Sequence, residues 1–207
     1  MEKIDVKLLP QLEEFVGNLD YQNLSSERKD VLQLLIDYIQ SKKDKDDEIN
    51  LNFICTHNSR RSQFSQIWAK AAAHYFSIDI NSFSGGVEVT AFNERAVASI
   101  RRAGFEVSDE GEENPRYQIV YAEEAAPLTA FSKLFDDTGN AASGFAAVMT
   151  CSHADENCPF IPGAEARLPV RYEDPKAFDD SPLEAEKYDE RSREIAAEMF
   201  YVFSRVR

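Results

Sequence analysis

"NLNFICTHNSRRSQFSQIW", residues 50–68, decides how this chain is read. An apolar run ends in Cys55, a polar loop follows, and Arg60 and Arg61 open a segment of helical character. The pattern predicts a strand ending at Cys55 and a helix starting near Arg61. Backbone N–H groups between them can curl around an anion at the helix N-terminus. Such a cradle stabilises a thiolate and holds a tetrahedral oxyanion, which the planar fork of Arg61 is suited to clamp. Ser62 is positioned to hydrogen-bond the sulfur, and Asn58 to brace the loop through its side-chain amide. Cys-x5-Arg alone recurs by chance, and a buried thiol beside surface arginines is the plain alternative. The strand before, the helix after and the serine following Arg61 favour an oxyanion loop.

Outward from this loop, strands alternate with helices. "IDINSFS" reads as a strand, and "NERAVASIRRAGFEV" as a helix capped by Asn93 and stopped by Gly104. "FAAVMTC" is a continuous apolar strand, as in a sheet covered on both faces. "ARLPVRY" is a further strand, and "PLEAEKYDERSREIAAEMFYVFSRV" a closing helix with Pro182 near its first turn. The expected fold class is therefore α/β, with a parallel sheet flanked by helices. Residues 1–48 read as a helical extension. Its main helix is capped by Ser25 or Ser26 and carries an apolar stripe of Val31, Leu32, Leu34, Leu35, Tyr38 and Ile39. The charge run from Lys42 to Glu48 reads as a solvated linker. The α/β domain is placed at 49–207, with an insertion at about 106–144 before the third core strand. In that insertion "RYQIVYA" reads as a strand and "LTAFSKLFDD" as a short helix or strand.

The chain has 207 residues and a net charge of −14, which argues against nucleic acid as a partner. An anion site in so acidic a chain must make its positive potential locally. No apolar run approaches the roughly 20 residues of a membrane span. "MEKIDVKLLPQLEEF" lacks a signal peptide's apolar centre, so a cytoplasmic protein without membrane contact is expected. Three cysteines, Cys55, Cys151 and Cys158, do not suggest a structural disulfide framework. "TCSHADENCPFIPG" puts Cys151 at a strand end, where it can face the same crevice as Cys55. The spacing to Cys158 suits a metal poorly, so neither metal nor cofactor is expected. Both thiols being inert remains open on the residues alone. In "VRYEDPKAF", Asp174 before Pro175 is a candidate general acid, with Glu173 an equal candidate by charge.

"FICTHNSRRSQ" resembles the phosphate loop of the low-molecular-weight protein tyrosine phosphatase fold, which includes the thioredoxin-coupled arsenate reductases. The resemblance covers roughly residues 49–105 and 145–205 and implies a four-stranded parallel sheet. It implies an oxyanion-binding set of Thr56, His57, Asn58, Ser59, Arg60, Arg61 and Ser62. His57 stands where the family usually has Gly, and Arg60 is a second departure, adding local positive charge. Cys151 and Cys158 match the C-x6-C pair of the arsenate reductases, and Asp174-Pro175 the fold's acid. The implied mechanism is a relay: Cys55 attacks arsenate, Cys151 attacks Cys55 as arsenite leaves, and Cys158 moves the disulfide outward to thioredoxin. The acidic loop between the two cysteines would have to rearrange. The alternative is a phosphatase hydrolysing phosphate monoesters through a cysteinyl-phosphate at Cys55. Lys176 and Ala177, where phosphotyrosine enzymes usually carry aromatics, weaken that reading. A third possibility is a non-catalytic anion-binding module in which the N-terminal helices and the insertion recruit a partner.

Overall fold

The computed structural model describes residues 7–108, 113–157 and 160–207. The chain opens with α1 (Pro10–Gly17) and α2 (Ser26–Asp44). Ser25 caps α2 by accepting from the Arg28 N–H. The buried stripe of α2 is Leu32, Leu35, Ile36 and Ile39. Leu34, expected in that stripe, is half exposed, because a period of 3.6 carries it to the opposite side. The helix also runs into the charged segment, as far as Asp44, before the chain turns into β1 (Asn50–Cys55).

All six residues of β1 are buried, as befits the inner strand of a covered sheet. Then come α3 (Arg61–Tyr75), β2 (Asn81–Gly86) and α4 (Glu94–Arg102). The helix stops at Gly104, as its sequence predicts. Gly104 takes a φ of +105°, and a Cβ there would lie 2.5 Å from the Leu12 amide nitrogen, so α1 seats directly on this turn. "EVS" is instead β3 (Glu106–Ser108), pairing antiparallel with β4 (Tyr117–Val120), which pairs with β5 (Leu128–Ala130). The insertion thus has a three-stranded sheet of its own.

The chain returns to the main sheet as β6 (Phe145–Met149), forms the short α5 (Ser152–Asn157), adds β7 (Ala164–Pro169) and ends in α6 (Glu184–Arg205). The main sheet has the order β2–β1–β6–β7, all parallel. The "HADEN" stretch, expected as a loop, is helical; six residues, with Ala154 the lone apolar one, are too few to show a helical period in sequence. The core centres on fully buried Trp68 of α3, ringed by Phe15, Phe105 and Phe200. Its indole N–H donates to Ser192 of α6 at 2.9 Å, so the largest apolar side chain leaves no unsatisfied donor.

Parallel strands deliver their C-terminal ends to one edge. Cys55 and Met149 close neighbouring strands there, and the Thr150 amide donates to the Ile54 carbonyl at 2.8 Å. That edge is where ligands bind in sheets of this kind.

Candidate active site

Between Cys55 and Arg61 the backbone is held from outside, carbonyl by carbonyl. The Cys55 and Thr56 oxygens accept from the Val87 and Glu88 amides at 3.3 and 2.9 Å. The His57 oxygen accepts from the Ser132 and Thr90 hydroxyls at 2.9 and 3.3 Å. Gln63 donates to the Asn58 oxygen at 3.0 Å, and the Asn93 amide to the Ser59 oxygen at 2.9 Å. Five consecutive carbonyls are thereby tied outward, which turns the amides toward the inside of the loop. α3 starts without a side-chain cap, so its first-turn N–H groups join them. The result is a nest for an anion, supported by the positive end of a 15-residue helix.

Asn58 is the residue that bends this loop. It alone among residues 55–62 has a left-handed backbone, with φ 47°. Its side chain donates to Ser62 Oγ at 2.9 Å and accepts from the Lys133 amide at 3.0 Å. Ser62 Oγ in turn lies 3.1 Å from Cys55 Sγ. The departure at His57 is thus explained: its φ is not positive, so no glycine is required there. Its ring turns outward, 3.3 Å from Glu88. The glycine this loop does need is Gly86 on β2. A Cβ there would stand 2.8 Å from the Asn58 nitrogen and 2.9 Å from the His57 carbonyl carbon.

Arg61 donates to Asp174 at 2.8 Å and to the Tyr172 carbonyl at 3.1 Å. Asp174 also caps a short 3-10 turn, Pro175–Phe178, by accepting from the Lys176 amide at 3.1 Å. The structure therefore brings Cys55, Ser62, Arg61 and Asp174 to one place, with the guanidinium oriented by the aspartate. No bond of Glu173 to Arg61 is found among the described residues; Asp174 makes that contact. Arg60 behaves differently from the expectation that it adds positive charge to the loop. Its guanidinium turns to α6, donating to Tyr188 at 2.7 Å and to Asp179 at 3.3 Å. Asp179 offsets that charge, which leaves Arg60 its backbone amide to offer an anion. Burial and Asp179 push the Tyr188 phenol up, so it stays protonated and donates to Asp179 at 2.7 Å.

Behind this site runs a buried polar chain. Tyr172 donates to Glu198 of α6 at 2.6 Å, and Arg28 of α2 pairs with the same carboxylate, its second contact at 2.7 Å. The Arg28 guanidinium also lies 4.9 Å from the Tyr172 ring centre. Glu198 is 1% exposed, so this charge depends on its partners.

Cys151 follows β6, is buried, and is a free thiol like Cys55. Its sulfur lies 3.5 Å from the Thr56 hydroxyl, which is 3.2 Å from His153 Nδ1. The Ala154 amide donates to the same sulfur at 3.4 Å. Cys158 lies outside the described residues. α5 is fastened by Asp155, which takes Arg167 and Arg171 as partners.

Sequence reasoning missed the segment 131–135. The Phe131 oxygen accepts from Gln63 at 2.9 Å, Ser132 and Lys133 bind the loop as above, and Leu134 bridges to Gly86. Burial pulls the Lys133 ammonium down to about 8, against the attraction of Asp137. A cavity of about 480 Å³ opens beside the loop. Its walls include His57, Ser59, Arg60, Phe92, Tyr117 and Lys176. Among the described residues, no group of His, Cys, Asp and Glu is arranged to hold a metal ion. Nor is any described helix long and apolar enough to cross a membrane.

Comparisons with known proteins agree with this geometry. The chain is 32% identical over 124 residues to an arsenate reductase of Brevibacillus brevis, covering 59% of this chain and 74% of the relative. It is 29% identical over 129 residues to arsenate reductase 1 of Staphylococcus saprophyticus, covering 62% and 80%. Its fold is similar to that of a low-molecular-weight protein tyrosine phosphatase from T. tengcongensis, with a TM-score of 0.51 and 16% identity over 76% of this chain and 99% of the other. A second such phosphatase, from Vibrio cholerae O395, gives the same TM-score at 13% identity, over 75% and 95%. No family model matches the chain.

Proposed function

The chain belongs to the arsenate reductase family and has the low-molecular-weight protein tyrosine phosphatase fold, and from that premise we propose that it reduces arsenate through a relay of Cys55, Cys151 and Cys158. The observation that carries the reading is the contact of Thr56 with Cys151. One loop residue joins the second thiol to the cradle of the first. Simple ester hydrolysis has no use for a second buried thiol at that place.

In this reading the amides of Thr56 to Ser62 bind the oxyanion, and Ser62 supports the Cys55 sulfur. Cys55 attacks arsenic, and the incoming oxyanion competes with Asp174 for the Arg61 guanidinium. Asp174, freed from that pairing, takes up a proton from solvent or from the incoming oxyanion and hands it to the departing oxygen. Cys151 then attacks the Cys55 sulfur. A sulfur–sulfur bond forms, the sulfur–arsenic bond breaks with its electron pair going to arsenic, and arsenite leaves. Cys158 attacks Cys151, and thioredoxin reduces the resulting Cys151–Cys158 disulfide. The proposal is tested by arsenate-dependent NADPH oxidation with thioredoxin and its reductase. Turnover should vanish in Cys55→Ser, Cys151→Ser and Cys158→Ser alike. Undiminished turnover in either of the last two sinks the relay.

A second reading, hydrolysis of phosphate monoesters through Cys55, Arg61 and Asp174, draws on the cavity beside the loop. Its 480 Å³ is within the range of small-molecule sites, and arsenate has no substituent to fill it. Steady hydrolysis of para-nitrophenyl phosphate that survives Cys151→Ser would favour it.

A further inference from the structure

Cys151 sits at 1% exposure in an apolar pocket with Ile54, Met149 and Ala154, out of reach of solvent. A thiol must lose its proton to attack another sulfur. Something near Cys151 therefore has to take that proton and carry it out of the apolar pocket. The groups around it narrow the choice. Thr56 touches the sulfur, and its hydroxyl can donate and accept at once. On the hydroxyl's other side is His153 Nδ1, at 3.2 Å, on a residue exposed to solvent.

We infer that His153, acting through the Thr56 hydroxyl, is the proton acceptor that readies Cys151 for attack on Cys55. The inference rests on the relay reading above and adds a residue to it. The Cys151 thiol donates to Thr56 Oγ1 while the Thr56 hydroxyl donates to His153 Nδ1. One proton moves along this pair of bonds to the imidazole and from there to solvent. The thiolate left behind keeps the Ala154 amide as a donor and attacks the Cys55 sulfur, with arsenite as the leaving group. His153 touches neither substrate nor the reacting sulfur, so it is a positioning residue for the second chemical step.

The test is one turnover without thioredoxin. Reduced protein is mixed with arsenate, quenched at intervals, and assayed for arsenite and, by non-reducing mass spectrometry, for the disulfide. His153→Ala should slow disulfide formation by about tenfold or more. The arsenate concentration for half-maximal rate should stay unchanged, and added imidazole should restore the rate. His153→Gln keeps a hydrogen bond to Thr56 but takes no proton, and should be as slow as His153→Ala. Thr56→Val should be slow and gain nothing from imidazole. Wild-type rates in His153→Ala or His153→Gln overturn the inference and leave the relay standing. No disulfide in the unaltered protein overturns the relay, and the inference with it.

Discussion

The loop after β1 and the segment after β6 end at the same sheet edge, yet they are held by opposite means. Residues 55–59 have every carbonyl bound by neighbours from the β2–α4 connection, α3 and the insertion. Among the described residues, the segment after β6 is held by side chains: Asp155 pairs with two arginines, and Cys151 and His153 touch Thr56. The first arrangement fixes amides in place before an anion arrives, and electrostatic stabilisation draws on such preorganisation. The second concentrates its ion pairs on a single carboxylate, so one change can loosen it. A relay needs both: a cradle that does not yield, and a thiol whose segment can.

Attacking the cradle should give the largest effects. Arg61→Ala is expected to lower kcat/KM for arsenate or para-nitrophenyl phosphate by roughly 10²–10³-fold, as for loss of one transition-state donor. Gly86→Ala forces a methyl onto the Asn58 and His57 backbone and should cost about 10²-fold in either assay. Circular dichroism should remain unchanged in both variants. On the other side of the comparison, Asp155→Ala frees α5. It should alter disulfide formation with arsenate by about tenfold while para-nitrophenyl phosphate hydrolysis stays within twofold of wild type, about the scatter of such assays. Equal effects on both reactions would show that the two segments move as one.

The smallest effect concerns what the clamp costs. Lys133 holds the loop through its backbone, while its ammonium is buried and lowered from 10.5 to about 8. The folded state therefore binds fewer protons than the unfolded state between pH 8 and 10.5, and this group's contribution to stability rises with pH across that window. Lys133→Met keeps the backbone contact and removes the buried charge. It should raise stability at pH 7 by on the order of 1–3 kcal/mol. That gain should shrink toward pH 10.5 in urea titrations run along the pH series. A gain that does not change with pH would mean the ammonium is well solvated.

The main sheet and the cradle were legible because their signals are local. Strand, cysteine, polar turn and helix lie within 50–68, and Asn58, Ser62 and Cys55 interact across seven residues or fewer. Asn93 announced itself as a helix cap, which it is, accepting from the Arg95 amide. What sequence did not reveal is long-range. Nothing near Ser132 or Lys133 marks them as partners of a loop 75 residues earlier. The neutralisation of Arg60 depends on Asp179 and Tyr188, brought together by the fold alone. α5 was missed for another reason: its six residues carry no apolar period.

The carboxylate of Glu198 has a consequence for where this protein can be cut. By sequence, residue 48 looks like a natural place to trim the chain to its catalytic part. By energy it is not, since Arg28 supplies the positive charge that Glu198 and Tyr172 are built around. Losing Arg28 alone, as in Arg28→Ala, would strand that carboxylate in the interior, and losing the whole helix would also uncover the apolar face that Leu32, Leu35, Ile36 and Ile39 cover. The expected cost is about 3–5 kcal/mol for an orphaned buried charge, set against a total stability of roughly 5–15 kcal/mol for an ordinary domain. The leading helices are thus a keystone of the fold, and the smallest working enzyme includes them.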